Sequence, residues 1–279
     1  MSDCNSCPTN GQCGTEEKEA CQVEFNANNQ IKHVIGVMSG KGGVGKSTVA
    51  TLVANELKQR GYAVGVMDAD ITGPSIPRLM QVQGQSPVQT TEGLFPVENA
   101  KGIKVMSLNL LMDDEDQPVI WRGPILGNVV KQFWTDVVWG ELDYLVVDMP
   151  PGTGDVAITA MQNIPMSGVV MVSVPQDMVS MIVAKAVHMV RRMHKRVIGV
   201  VENMSYIECP DCGKEIRMYD SKTDQFRDDL QLNLLGELPM TMDVMRATQN
   251  GFSDNDPVLE KYAKPIVDEI LKDLDQIIL

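Results

Sequence analysis

The chain has 279 residues, 43% hydrophobic and 22% charged, enough apolar matter for a sizeable core, and no apolar run approaches the roughly 18 residues of a membrane span. Its formal net charge of −13, without any cluster of Lys and Arg, argues against a nucleic-acid surface, which needs cations gathered to neutralise phosphates. The first residues, MSDCNSCPTNGQCG, contain neither a basic region nor an apolar stretch, so no secretory signal is expected. The six cysteines then belong in a reducing, cytoplasmic setting, where metal or redox chemistry outranks disulfides.

Residues 1–30 read as a tail, with four cysteines, an acidic stretch at Glu16–Glu19 and too few large apolar side chains to build a core. Cys4, Cys7, Cys13 and Cys21 follow the spacing C-x2-C-x5-C-x7-C, which could close around zinc or a [4Fe–4S] cluster or remain a set of unliganded thiols. Residues 31–279 are expected to form one doubly wound α/β domain with a mostly parallel sheet.

That domain opens with VIGVMSGKGGVGKST, Val34 to Thr48, a β-branched apolar run that breaks into glycine and lysine before a helical pattern begins. Gly40 to Ser47 fits the phosphate-loop pattern G-x-x-x-x-G-K-[ST]. The N–H groups of Gly40, Gly42, Gly43, Val44 and Gly45 are candidates to wrap a polyphosphate. Lys46 would neutralise its β/γ oxygens, Ser47 would ligate Mg²⁺, and Thr48, in the first helical turn, is a further candidate to bind the nucleotide. The same glycines also satisfy the dinucleotide pattern G-x-G-x-x-G, with Asp68 near the distance of a ribose-binding acid. A lysine followed by a hydroxyl has no use in that motif, so a nucleoside triphosphate such as ATP is the better ligand.

A helix follows through Val49, Leu52, Val53 and Leu57 to a stop at Gly61, then a strand over Ala63–Met67 that ends in Asp68-Ala69-Asp70. Carboxylates at that edge of a parallel sheet face its ligand. Asp70 is the candidate to position the attacking water and Asp68 lies near the Mg²⁺ shell, the plain alternative being an Asp-stabilised turn. Gln81–Lys104 reads as a hairpin or loop excursion. Trp121-Arg122-Gly123-Pro124 leads into another helix, with Arg122 reaching either a bound anion or a surface carboxylate.

Tyr144–Asp148 is a strand that delivers a Mg²⁺-directed Asp148 behind the phosphate loop. In the PPGTGD segment that follows, the Gly152 N–H is placed to sense a γ-phosphate, and Asp155 serves either there or as a helix N-cap. Strands are expected at Val169–Val174, Val197–Val201 and Leu232–Gly236, with a helix to Arg192 whose methionines read as core filler. Asn203 could offer its amide to a purine edge, or simply form a turn. Within 206–218 the run Cys209-Pro210-Asp211-Cys212-Gly213 turns two thiolates toward one metal, but a tetrahedral ion or cubane cluster needs four ligands. The others would come from the tail or from a symmetry mate. The closing helix, from Pro257, bears three lysines against five acidic residues, so it should pack on its own domain rather than dock on a membrane.

In order, GKGGVGKS, DADITGPS, WRGP, DMPPGTGD, ENM and CPDC resemble the Mrp/ApbC family of iron–sulfur cluster carrier ATPases, over nearly the whole chain. The resemblance implies a deviant phosphate loop, shared with septum-site and nitrogenase iron-protein relatives, in which Lys41 reaches the partner's nucleotide across a homodimer. It also implies a [4Fe–4S] cluster bridged between subunits by Cys209 and Cys212, slow ATP hydrolysis, and delivery of the cluster from donors to apo iron–sulfur proteins. The cysteine tail is similar to that of the eukaryotic cytosolic scaffold members, except that no cysteine precedes Cys4, which leaves Cys21 as the available fourth ligand. The competing expectation is a nucleotide-switched positioning ATPase with structural zinc at Cys209 and Cys212.

Overall fold

The computed structural model describes residues 26–70, 75–112, 123–175, 177–209, 211–219 and 228–276, with backbone alone at 123–124 and 177–180. The expectations for Cys4, Cys7, Cys13 and Cys21, and for residues 71–74 and 121–122, lie outside these. The first described contacts are N-terminal to residue 31. Asn29 is buried; its Nδ2 donates to the Val137 carbonyl and its Oδ1 accepts from the Gly140 N–H.

Strand β1 (Gln30–Ser39) leads through the glycine-rich loop into helix α1 (Lys46–Gln59), then β2 (Val64–Asp68) and a short α2 (Ile76–Leu79). The expected excursion is built from β3 (Val88–Gln89) against β4 (Leu94–Phe95), and β5 (Val97–Glu98) against β6 (Lys104–Met106). Next come α3 (Gly123–Thr135), β7 (Glu141–Asp148), α4 (Asp155–Asn163), β8 (Gly168–Ser173), α5 (Asp177–Arg192) and β9 (Val197–Asn203). A small hairpin of β10 (Ile207–Glu208) and β11 (Glu215–Ile216) precedes β12 (Leu234–Leu238), α6 (Met242–Asn250) and α7 (Lys264–Asp275).

Eight strands make the main sheet, in the order β12-β9-β8-β1-β7-β2-β6-β5, and every pairing is parallel except β5 with β6. The Val/Ile/Met runs of β1, β2, β7 and β8 are buried without alternation, as strands covered by helices on both faces must be. Because β1 lies between β7 and β8, the chain reverses its winding direction there, and the crevice beside a reversed strand is where such sheets take ligands.

Several element ends differ from expectation, among them those of β12, α4 and the closing helix. Strand β12 runs two residues later than expected, with a register shift against β9 between Leu234 and Gly236. Asp155 is the first residue of α4 rather than its cap, which is Gly154. The closing helix begins as a π-turn over Leu259–Ala263. Pro265 lies in the first turn of α7, and its ring and missing N–H forbid a regular bond to the carbonyl four residues back, so the widened turn absorbs it.

Gly199 in β9 faces the register shift closely: a Cβ there would lie 2.5 Å from the Asn233 carbonyl oxygen and 2.8 Å from Leu235. Gly199→Ala should therefore lose about 1–3 kcal/mol, from overpacking against backbone that cannot yield. Urea denaturation should show a lower midpoint at unchanged slope; an unchanged midpoint would contradict this packing.

Candidate functional site

The phosphate loop leaves β1 at Ser39 and enters α1 at Lys46. Gly45 is the helix N-cap with φ 79°, a left-handed conformation that disfavours a side chain, and no side chain caps this end. With no acidic residue in the first turn either, the helix N-terminus keeps its N–H groups and positive end for an anion. Gly40 is pressed against α5, where a Cβ would come within 2.9 Å of Ile182 and Val183 backbone atoms. Two more bonds tie the loop down. The Gly152 N–H donates to the Ser39 carbonyl at 2.8 Å, and Asn203 Nδ2 donates to the Val44 carbonyl at 2.8 Å. The sequence offers Gly152 to a γ-phosphate and Asn203 to a purine or a turn; in the structure both bond to the loop.

Parallel register sets Asp68 of β2 opposite Asp148 of β7, so both carboxylates leave the same edge of the sheet. Lys46 Nζ lies 2.6 Å from Asp148 Oδ1 and 3.3 Å from Asp70 Oδ2, and Ser47 Oγ donates to Asp148 Oδ2 at 2.6 Å. Ser107, at the end of β6, donates to Asp68 Oδ2 at 2.8 Å, and the Asp70 N–H donates to Asp68 Oδ1 at 3.1 Å. All four charged groups are buried.

Burial works against the charged form of Lys46, but Asp148 and then Asp70 outweigh it and leave its pKa raised. Asp68 is driven well above the usual carboxylate range by complete burial and then by the neighbouring charge of Asp148. Asp148 is also raised by burial, against the opposing pull of Lys46. Three carboxylates around one ammonium form a site that favours added positive charge, and hydroxyl and carboxylate oxygens suit a hard cation. Among the described residues no group of three or more His, Cys, Asp or Glu side chains converges as a metal site. A Mg²⁺ here would be held through Ser47 and Asp148 with phosphate oxygens completing its shell, the usual arrangement for this ion. Lys41 is half-buried on the outer side of the loop, beside a cavity that the loop shares with the cysteine hairpin.

Cys209 and Cys212 lie in the turn between β10 and β11, closed by Cys209 N–H to the Lys214 carbonyl and Gly213 N–H to the Cys209 carbonyl. The N–H groups of Asp211 and then Cys212 point at the Cys209 sulfur, with the Cys212 side chain adding to them, and hold its pKa below the ordinary thiol value. Cys209 is half-buried and Cys212 exposed. The hairpin is latched to the body at both ends. Lys261 Nζ and Tyr262 Oη reach Glu208 Oε2 at 3.1 and 3.2 Å, and Arg217 makes a two-pronged bond to Glu237 at 2.7 and 3.0 Å. None of these latch residues, nor Ser107, was singled out from the sequence. Ser107 alone carried a signal, since it ends a strand at the edge where Asp68 and Asp148 end theirs.

Known proteins resemble this chain over most of its length. A family model in the ParA group, described as the NUBPL iron-transfer P-loop NTPase, matches residues 30–277. The chain is 48% identical over 265 residues to an iron-sulfur cluster carrier protein of Clostridium perfringens, covering 90% of this chain and 93% of that one. Among solved structures it is similar to a nucleotide-binding protein of Archaeoglobus fulgidus in complex with ADP, at 38% identity and TM-score 0.70, over 82% of this chain and 88% of that chain. The cell division ATPase MinD of Pyrococcus furiosus shares the fold at 19% identity and TM-score 0.62, over 88% and 99% of the two chains.

Lys46→Met keeps the length of the side chain and removes the ammonium that faces Asp148 and Asp70. Nucleotide binding by calorimetry should be lost, and stability at neutral pH should fall by up to about 3–5 kcal/mol, the usual result of orphaning a buried charge. Unchanged affinity would contradict the placement of phosphate at this lysine.

Proposed function

The chain belongs to the NUBPL iron-transfer P-loop NTPase family, and from that premise we propose that it is an ATP-hydrolysing carrier that delivers a [4Fe–4S] cluster to apo-proteins. Two copies hold the cluster between them through Cys209 and Cys212. The observation that carries the reading is the cysteine turn: Cys209 and Cys212 share one tight turn closed by backbone hydrogen bonds, on a hairpin latched to the nucleotide domain. Two thiolates cannot complete a four-cysteine site, and no third ligand stands near them among the described residues. A two-fold axis through the turn supplies the missing pair. A cluster so held is shallow and bound by two short loops, which suits cargo that must leave.

ATP lies along the loop with its β/γ-phosphates at Lys46, which exchanges its contact with Asp148 for phosphate oxygen. Asp148 and Ser47, already hydrogen-bonded to each other, would hold Mg²⁺, which would supply neutralisation of developing phosphate charge. Asp70, 3.3 Å from Lys46 Nζ, orients the attacking water, and Lys41 reaches the nucleotide of the partner copy. Hydrolysis is slow because the site is complete only in the dimer.

With Cys4, Cys7, Cys13 and Cys21 replaced by Ser, anaerobic reconstitution should give about four irons and four sulfides per two chains, the content of one cubane cluster. Cys209→Ala or Cys212→Ala should abolish it and leave ATP binding intact. Zinc alone, or four irons on a monomer, returns the choice to a positioning ATPase with structural zinc. Lys41→Ala should keep most of its ATP affinity and lose turnover by about 10³-fold, by analogy with charges supplied in trans to a transferring phosphoryl group. Unimpaired turnover would remove Lys41 from that role.

A further inference from the structure

Asn203 has both ends of its amide committed. Nδ2 donates to the Val44 carbonyl at 2.8 Å, across 159 residues of sequence, and Oδ1 accepts from the Met204 N–H at 3.0 Å. Nδ2 fills the space beside Gly45, only 2.1 Å from where a Cβ would stand. A shift of the phosphate loop and a rotation of this amide are therefore one event. Met204, next in the chain, holds a left-handed conformation at φ 55°, uncommon for a side-chain-bearing residue and supported here by the same amide.

From Met204 the chain runs directly into the cysteine hairpin. The Ser205 N–H donates to the Leu238 carbonyl at 3.0 Å and the Tyr206 carbonyl accepts from the Met240 N–H at 2.8 Å, so this strap moves with the end of β12. Ile207 and Glu208 then form β10, and Cys209 follows. Beside the strap, a cavity of about 360 Å³ is lined by Gly43 and Val44 of the loop and by Ile207, Met218 and Tyr219 of the hairpin region. Because that space is not filled by packed side chains, the hairpin has room to shift relative to the loop, and the bonded strap is the tie between them.

We propose that Asn203 is the positioning residue through which the phosphate loop and the Cys209–Cys212 hairpin sense one another. Nucleotide that reshapes the loop re-aims the amide, releases or tightens Met204 and alters the presentation of the two thiols. By linkage, whatever binds the thiols alters nucleotide affinity by the same factor. The inference rests on the nucleotide half of the proposed function and needs no cluster to be bound.

The test is therefore read on thiols. Full-length, metal-free protein is treated with iodoacetamide, with and without Mg-ADP or a non-hydrolysable Mg-ATP analogue, and alkylation of Cys209 and Cys212 is followed by peptide mass spectrometry. Nucleotide is used at concentrations that saturate each variant by calorimetry. Asn203→Ala removes both amide bonds, whereas Asn203→Asp keeps the shape and the acceptor for Met204 but cannot donate to Val44. In the native protein nucleotide should change the alkylation rate by about 5-fold or more, the lower end of usual coupling. In both variants the ratio should fall to within about twofold of unity.

A native ratio near unity, or a ratio retained in both variants, overturns the proposal. So does selective loss of adenine over guanine nucleotide with the ratio intact, which would make Asn203 a base reader. A variant that binds neither nucleotide makes the residue a mere support of the loop and overturns it as well. If the protein instead fails to hold iron while the thiol ratio behaves as expected, the carrier reading fails and the coupling stands.

Discussion

Everything at the ligand edge of the sheet depends on one buried ammonium. Lys46 lies 2.6 Å from Asp148 and 3.3 Å from Asp70, with Asp68 just behind, in an interior from which water is largely excluded. A lone carboxylate in such a place would neutralise itself, and Asp68 already leans that way. The lysine keeps Asp148 available as an acceptor for Ser47, and thereby holds the end of β7 to the start of α1. The same ammonium is what a polyphosphate must recruit. In the proposed function, structural support and ligand recognition compete for one charge, so phosphate entry would loosen Asp148 and the segment that follows it.

That segment and the end of β9, which lies beyond β8 on the other side of β1, act on the loop from two directions. Gly152 holds Ser39 at the loop's beginning, and Asn203 holds Val44 near its end. The first belongs to the stretch after Asp148, and the second opens the path to the cysteines. A loop clamped in this way has few conformations of its own. The hairpin latches at Glu208 and Arg217 are partly exposed ion pairs of modest strength, which suits a module that must keep its orientation and still yield.

Much of this was legible in the sequence where the chemistry is local. The glycines and Lys46-Ser47 lie within one short run, and Asp68 and Asp148 each end an apolar run that could only be a buried parallel strand. Their common edge follows from the topology of such sheets. Cys209 and Cys212 were equally plain, because a Pro and a Gly flank them in a metal-turn pattern. For Asn203 the sequence leaves a purine contact and a turn open, and nothing in ENM says that its amide meets a carbonyl 159 residues away. Arg217, Lys261 and Tyr262 act through partners on other elements and have no local pattern. The π-turn before α7 was hidden because the apolar spacing of the closing segment continues through Pro265 as if the helix were regular.

The account joins nucleotide chemistry and cluster carriage in one molecule, and cluster transfer tests that union most directly. Anaerobically reconstituted protein is mixed with an apo-enzyme whose activity requires a [4Fe–4S] cluster, in the presence of an iron chelator, and regained activity is followed with and without Mg-ATP. The account predicts activation that outruns capture by the chelator, responds to nucleotide and disappears with Cys212→Ala. Activation no faster than that from free iron and sulfide, or undiminished in the Cys212 variant, would contradict it.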